Sequence, residues 1–128
     1  MDFSLAKKER LKSKKHIEKL FAEGTHVSNF PLKLVYLNTH FADRASLKAM
    51  VIAPKKNFKS AVSRNRIKRV LREAYRLNKH VVFNNIEGHY ALAILYLGKE
   101  MPDYEMANHK MQGLLKRFNE EVSNEKTS

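Results

Sequence analysis

Residues 60–79 read SAVSRNRIKRVLREAYRLNK, and the spacing in this stretch predicts one long helix. At 100° per residue, one arc of the helix collects its apolar side chains, which are Ile67, Val70, Leu71, Ala74 and Leu77. The opposite arc collects five cations, which are Arg64, Lys68, Arg69, Arg72 and Arg76. We therefore expect the helix to pack on a sheet by one side and to present a fixed row of cations on the other.

Two strands flank this predicted helix. Leu47 to Ala53 reads as a strand, and it ends before Pro54 because proline cannot donate a hydrogen bond to a sheet ladder. Tyr90 to Leu97 is nearly all apolar, which is typical of a strand that is buried on both faces. A strand, a helix and a second strand in this order predict two parallel strands of one sheet, connected by the cationic helix.

The N-terminal part is predicted to be a short helix followed by strands. The helix follows Ser13, which can cap its first turn, and ends near Gly24. A strand runs from Phe30 to Asn38, and a shorter one is weakly indicated from His26 to Asn29. These elements precede the strand–helix–strand unit in the chain.

The C-terminal part is predicted to be a loop, the buried strand and a last helix. The loop covers Val81 to Gly88, and Pro102-Asp103 open the helix. From Ser123 onward the chain is polar, and we expect this tail to fray. The resulting order is α-β-β-β-α-β-α, which predicts an α+β fold with one sheet covered by helices. We expect a single domain over residues 1–128. Its ordered core would cover about residues 3–120 and its polar tail residues 123–128.

Charge is concentrated in two segments of the chain. The formal net charge is +12, from 25 Lys and Arg against 13 Asp and Glu. Residues 55–79 contain ten Lys or Arg and one acid, Glu73, and residues 7–19 contain seven Lys or Arg and two acids. Excess positive charge of this kind favours a polyanionic partner, and nucleic acid is the commonest one.

Several classes of function are disfavoured by what the sequence lacks. There is no cysteine, which removes disulfides, thiol catalysis and thiolate metal sites. No glycine-rich phosphate loop, no histidine pair at metal-ligand spacing and no pair of acids suited to general acid and base catalysis is present. The N-terminus lacks the apolar core of a signal peptide, and the longest apolar run, Tyr90 to Leu97, is too short to span a bilayer. We therefore expect a cytoplasmic protein with no membrane partner and no catalytic or metal-binding residues of its own.

The cationic helix resembles a known signature. Lys55-Lys56, followed by AVSRNRIKRVLREA at residues 61–74, is similar to the RNR motif of the bacterial ribonuclease P protein subunit. Arg10-Leu11-Lys12, Leu20-Phe21 and Gly24 are similar to that family's N-terminal region. The resemblance extends from about residue 3 to residue 118.

The resemblance implies a function and a topology. The family's ribonucleoprotein removes 5′ leaders from precursor tRNA, and its RNA subunit performs the hydrolysis with bound divalent metal, Mg²⁺. The protein subunit holds the leader and strengthens the binding of metal and substrate. This role would explain why the chain shows no recognisable group of catalytic residues. The implied fold has a left-handed βαβ crossover, which departs from the right-handed rule, and is shared with a domain of a small-subunit ribosomal protein.

The resemblance also implies particular site residues. Facing the catalytic RNA or the nearby leader would be Arg64, Asn65, Arg66, Lys68, Arg69 and Arg72, together with Lys55 and Lys56; Arg76 continues the row. A leader cleft would lie between the first helix and the sheet and involve Ile17, Phe21, Val35 and Tyr36. Ile17 and Val35 stand where the family often carries aromatic residues, so base stacking at those two points is in doubt.

Other interpretations remain open from the residues alone. One alternative is a ribosomal or assembly protein that binds structured RNA without a catalytic partner, since folds of this kind recur among RNA-binding proteins. A DNA-binding regulator that inserts the cationic helix in a major groove is disfavoured, because no short helix and tight turn precede that helix. Ordinary core packing is an alternative role for Ile17, Phe21 and Tyr36, and a hydrogen bond within the first turn is one for Asn65.

Overall fold

The computed structural model of the chain describes residues 7–83 and 87–127. Its sheet has four strands, which are β1 (Thr25–Asn29), β2 (Leu32–Asn38), β3 (Leu47–Ile52) and β4 (Tyr90–Tyr96). Their spatial order is β1-β2-β4-β3. The pairs β1–β2 and β2–β4 are antiparallel, and β3 and β4 are parallel. The parallel pair on either side of the cationic helix is therefore confirmed.

Besides a 3-10 helix at Lys7–Glu9, four α-helices accompany the sheet in the described part of the chain. They are α1 (Lys14–Glu23), α2 (Ala61–Asn78), α3 (His80–Phe83) and α4 (Tyr104–Thr127). The N-cap side chains of α1 and α2 are Ser13 and Ser60, and each hydroxyl accepts a hydrogen bond from the backbone N–H three residues later, at 3.4 Å. The predicted α-β-β-β-α-β-α order is confirmed, with α3 as an added short helix. The handedness of the crossover stays a prediction.

One face of the sheet carries the larger core, beneath α2 and α4. Tyr36, Tyr90 and Phe118 pack edge to face, with ring centroids 4.9–6.1 Å apart. Leu92 and Ile94 of β4 are fully buried against the same helices. Each fully buried side chain of this size contributes about 1.5–3 kcal/mol, so this face dominates the stability of the fold.

The other face is covered only in part, by α1. Leu20 of α1 packs with Val35, Ala91 and Ala93 of the sheet, and all four side chains are buried. Gly24 ends the helix with a φ of −69°, so it is not there for a left-handed conformation. A Cβ at Gly24 would collide with the backbone carbonyl oxygen of Leu20 and would lie 2.6 Å from a methyl carbon of Val35. Glycine is therefore required where the end of α1 meets β2.

Several predicted boundaries were wrong. The region 81–88 was expected to be a loop, but α3 occupies its start, and residues 84–86 lie outside the described residues. The last helix continues to Thr127, past Ser123, where we expected a fraying tail. Strand β2 begins at Leu32 rather than Phe30, because Phe30 and Pro31 form the turn of the β1–β2 hairpin. Within the described ranges, no helix combines the length and the apolar character needed to cross a membrane.

The buried arc of α2 is rotated from the predicted one. Leu77 was expected in the core but is 46% exposed, whereas Tyr75 is 1% exposed. Contacts with α4 as well as with the sheet determine this rotation. Asn78 is buried on the same side, where its amide donates to the carbonyl oxygen of Ala74 at 2.7 Å and to Asn108 Oδ1 at 2.6 Å, so its burial leaves that amide satisfied.

Candidate nucleic-acid interface

The cations of α2 lie beside the outer edge of the sheet. Strand β3 is an edge strand, and the segment before α1 runs alongside it, with the backbone N–H of Leu11 donating to the carbonyl oxygen of Ala49 at 3.0 Å. Arg10, Lys12 and Arg72 line a cleft of about 410 Å³ there. Three cations from two separate segments of the chain thus surround one cleft.

Arg72 is the α2 cation that faces this cleft most directly. Burial lowers the pKa of Arg72, and the neighbouring cations Arg10 and Arg69 lower it further. An arginine with a lowered pKa still carries its charge at neutral pH. Like charges held together in this way repel one another, so a bound phosphate would be stabilised by relieving that repulsion.

Arg64 has an intramolecular role that the sequence did not reveal. Its Nη1 donates to the backbone carbonyl oxygens of Phe58 and Lys59, both at 2.8 Å. These bonds anchor the segment between β3 and α2, which also carries the exposed Lys55 and Lys56. Arg64 therefore holds a neighbouring cationic segment in place, and its role in contacting RNA directly stays a prediction.

Arg76 is also not a free cation of the predicted row. It forms an ion pair with Glu73, with Nη2 2.8 Å from Oε1 and Nε 3.3 Å from Oε2. The Glu73 side chain is only 8% exposed, so Arg76 neutralises a carboxylate that would be costly to bury alone. Two of the five cations predicted on α2, Arg64 and Arg76, are thus engaged within the protein, and the role of the row in binding RNA stays a prediction.

The remaining predicted contacts on α2 are accessible. Asn65, Arg66 and Arg69 are exposed, and Lys68 is half-buried. The Asn65 side chain forms no hydrogen bond within the described part of the chain, so the local bond that its position allowed is not made there. Arg66, Lys68, Arg69 and Arg72 form the α2 cationic strip.

The open face of the sheet beside α1 is the second candidate surface. Alternation along the strands places Lys33, Met50, Ile52 and Leu95 on this face, and all four side chains are half-buried. Phe21 of α1 is 44% exposed. We call these five residues the open sheet surface; the first four were not predicted, since only the tertiary fold shows which part of the face α1 leaves uncovered.

Two of the four predicted cleft residues are not exposed at this surface. Tyr36 lies on the opposite side of the sheet, 3% exposed in the larger core, so the prediction that it lines the cleft was wrong. Val35 is on the correct face but is 1% exposed beneath α1, where it supports the floor. Ile17 is half-buried against the same cluster. Phe21 is thus the one aromatic member of the predicted set with a substantial exposed area.

A second basic pocket, of about 600 Å³, lies at the start of α1. It is lined by Lys8, Arg10, Lys12, His16, Phe41 and Lys48, among others. The rings of His16 and Phe41 meet edge to face with centroids 5.1 Å apart, and Lys48 is paired with Asp43 at 2.8 Å. The charge run at residues 7–19 was the sequence signal for this pocket.

The side chains of these surfaces are of types that bind nucleic acid. Within residues 7–83 and 87–127, no group of three or more His, Asp or Glu side chains is arranged to hold a metal ion. Arginine and lysine side chains neutralise phosphates, and this interaction weakens steeply as salt rises. An apolar surface with an exposed aromatic ring can accept unstacked bases.

Comparison with known proteins identifies related chains over most of the length. The family model described as Ribonuclease P matches residues 5–119. The ribonuclease P protein component of Porphyromonas gingivalis is 38% identical over 120 residues, covering 91% of this chain and 87% of that protein. The component of Chlorobium phaeobacteroides is 34% identical over 125 residues, covering 88% and 86% respectively.

Solved structures show the same fold. The ribonuclease P protein of Thermotoga maritima matches with a TM-score of 0.68 at 24% identity, covering 85% of this chain and 96% of that one. The protein of Staphylococcus aureus also gives 0.68, at 18% identity, covering 85% and 94%. The structural likeness supports the fold, and the sequence relatives and the family model extend the agreement to nearly the whole chain. This chain belongs to the ribonuclease P protein family.

Proposed function

We propose that the chain acts as the non-catalytic protein subunit of ribonuclease P and assists the catalytic RNA in the endonucleolytic removal of the 5′ leader from precursor tRNA. The observation that carries this proposal is the cleft at the β3 edge, where Arg10, Lys12 and Arg72 converge next to the α2 cationic strip. Together with family membership, it supports a role in binding the phosphates of structured RNA. A cytoplasmic location accords with this role.

The two surfaces have different chemistry and are assigned different partners. The α2 cationic strip, with Lys55 and Lys56, would bind the ribonuclease P RNA, because its charges are fixed on a rigid helix. The open sheet surface would bind the single-stranded leader, because Phe21 offers an exposed ring and Lys33 a charge. Since Tyr36 and Val35 do not reach this surface, we expect aliphatic contact and charge to contribute more than stacking.

Hydrolysis in this proposal is assigned to the RNA subunit with its bound Mg²⁺. Mg²⁺ prefers oxygen ligands and retains several of its waters, so RNA phosphates can supply its site. The protein's part is electrostatic: its cations lower the repulsion between the leader, the tRNA and the catalytic RNA. That effect should matter most when Mg²⁺ is scarce.

Reconstitution with a bacterial ribonuclease P RNA tests the proposal. At low Mg²⁺, adding the protein should stimulate cleavage of precursor tRNA at the leader junction, and the stimulation should shrink as Mg²⁺ is raised. The RNA alone and an equally basic unrelated protein serve as controls. No stimulation of a correctly folded RNA would refute the proposal and favour an RNA-binding protein without a catalytic partner.

A further inference from the structure

Two histidines lie together at the loop ends of β2 and β4, outside both proposed RNA surfaces. The ring centroids of His40 and His89 are 5.9 Å apart, with an angle of 44° between the planes. His40 is exposed and His89 is half-buried. Neither residue lines the cleft at the β3 edge or the pocket at the start of α1.

The tautomer of His89 is determined by its surroundings. Its Nδ1 lies 2.8 Å from the backbone carbonyl oxygen of Ala45. A carbonyl oxygen only accepts, so Nδ1 carries the proton and donates, and the neutral ring keeps its lone pair on Nε2. A histidine whose second nitrogen donates to a backbone carbonyl is the usual arrangement for a metal ligand, because the bond orients the ring and makes it more basic.

The backbone around the pair is held by hydrogen bonds. The N–H of Thr39, next to His40, donates to the carbonyl oxygen of His89 at 2.9 Å, and the N–H of Tyr90 donates to that of Ser46 at 2.8 Å. Gly88 has a φ of +101°, a conformation that favours glycine, and it leads directly into His89. The two rings are therefore brought together by the fold.

The ring separation is slightly larger than that of two imidazoles on one metal ion. With Zn–N distances of about 2.0–2.1 Å and tetrahedral angles, two imidazoles on one Zn²⁺ have centroids about 5 Å apart. The observed 5.9 Å differs from this by about 1 Å, a change that a rotation of the exposed His40 side chain covers.

We propose that His40 and His89 form a two-histidine site for a divalent transition metal ion of the Zn²⁺ type. No third His, Asp or Glu joins them in a ligand group within the described ranges of the chain, so water completes the coordination. Imidazole nitrogen selects Zn²⁺ and its transition-metal neighbours over Mg²⁺, which prefers oxygen. This site is thus chemically separate from the Mg²⁺ assigned to the RNA subunit.

Calorimetric titration of the tag-free protein with Zn²⁺ tests the site. We expect one Zn²⁺ per chain, and at least tenfold weaker binding by the His40→Ala variant and by the His89→Gln variant. The His109→Ala variant removes an exposed histidine of α4 and should bind Zn²⁺ as the wild type does. A titration of the wild type with Mg²⁺ should show no binding at this site.

His40→Ala is the decisive variant, since His40 is exposed and its loss leaves the His89–Ala45 bond intact. Absence of Zn²⁺ binding by the wild type, unchanged binding by His40→Ala, or equal weakening by His109→Ala would each overturn the proposal. Circular dichroism of each variant establishes that the fold is kept. The measurement needs no RNA, so its result is independent of the ribonuclease P proposal.

Discussion

Replacing Arg72 by glutamine is expected to weaken RNA binding without weakening the fold. Arg72 forms no ion pair within the described residues. Burial lowers the pKa of Arg72, and the neighbouring cations Arg10 and Arg69 lower it further. Glutamine keeps much of the side chain's length and removes its charge. The free protein is relieved of some repulsion, whereas the complex with RNA loses a phosphate contact.

The size of the effect follows from counterion release. One phosphate contact contributes about 0.9 to the slope of log K against log salt concentration. Between 1 M and physiological salt of about 0.15 M, that contact is worth about 1 kcal/mol. The dissociation constant of the Arg72→Gln variant should therefore rise about fivefold at physiological salt, and the slope should fall in magnitude by about 1.

A fluorescence titration of labelled ribonuclease P RNA across a salt series measures both quantities. The matched control is Lys116→Gln, which removes the same unit charge from an exposed position on α4. An unchanged slope for Arg72→Gln would refute the placement of a phosphate at the cleft. The same loss of slope for Lys116→Gln would show that net charge, rather than the position of Arg72, controls binding.

The other variants separate structural roles from RNA contacts. Arg76→Gln leaves the buried Glu73 carboxylate without its partner, so the free energy of unfolding in urea should fall by about 2 kcal/mol, less than for a fully buried pair because Arg76 is partly exposed; unchanged stability would contradict this role. Arg64→Lys loses the two hydrogen bonds to the carbonyl oxygens of Phe58 and Lys59. The free energy of unfolding should fall by about 1 kcal/mol and tryptic cleavage before α2 should be faster, whereas wild-type cleavage rates would contradict the anchoring role. Phe21→Ala should change stability by no more than about 0.5 kcal/mol but weaken binding of precursor tRNA by about 1–3 kcal/mol; an equal loss for leaderless tRNA would indicate general damage rather than a leader contact.

The sequence was informative wherever local spacing and tertiary packing agree. The 3.6-residue period of α2 and the apolar run of β4 predicted a helix on a parallel strand pair, because burial of one helical face requires a sheet beneath it. The concentration of positive charge in residues 55–79 predicted a polyanionic partner, because like charges held close together repel one another unless a partner neutralises them. Both inferences need only neighbours along the chain.

The tertiary structure decided which of those side chains are available. Period-2 alternation places Val35 and Tyr36 on opposite faces of the sheet. Only the packing of the helices shows that both are buried, Val35 under α1 and Tyr36 under α4. Arg64 and Arg76 differ from Arg72 through partners that lie close to them in the sequence. Arg64 donates to the carbonyl oxygens of Phe58 and Lys59, and Arg76 is paired with the buried carboxylate of Glu73, three residues earlier on the same helix. The sequence alone determined that one helix carries a row of cations, and the fold determined which of them are buried or engaged within the protein, because burial depends on contacts between distant segments.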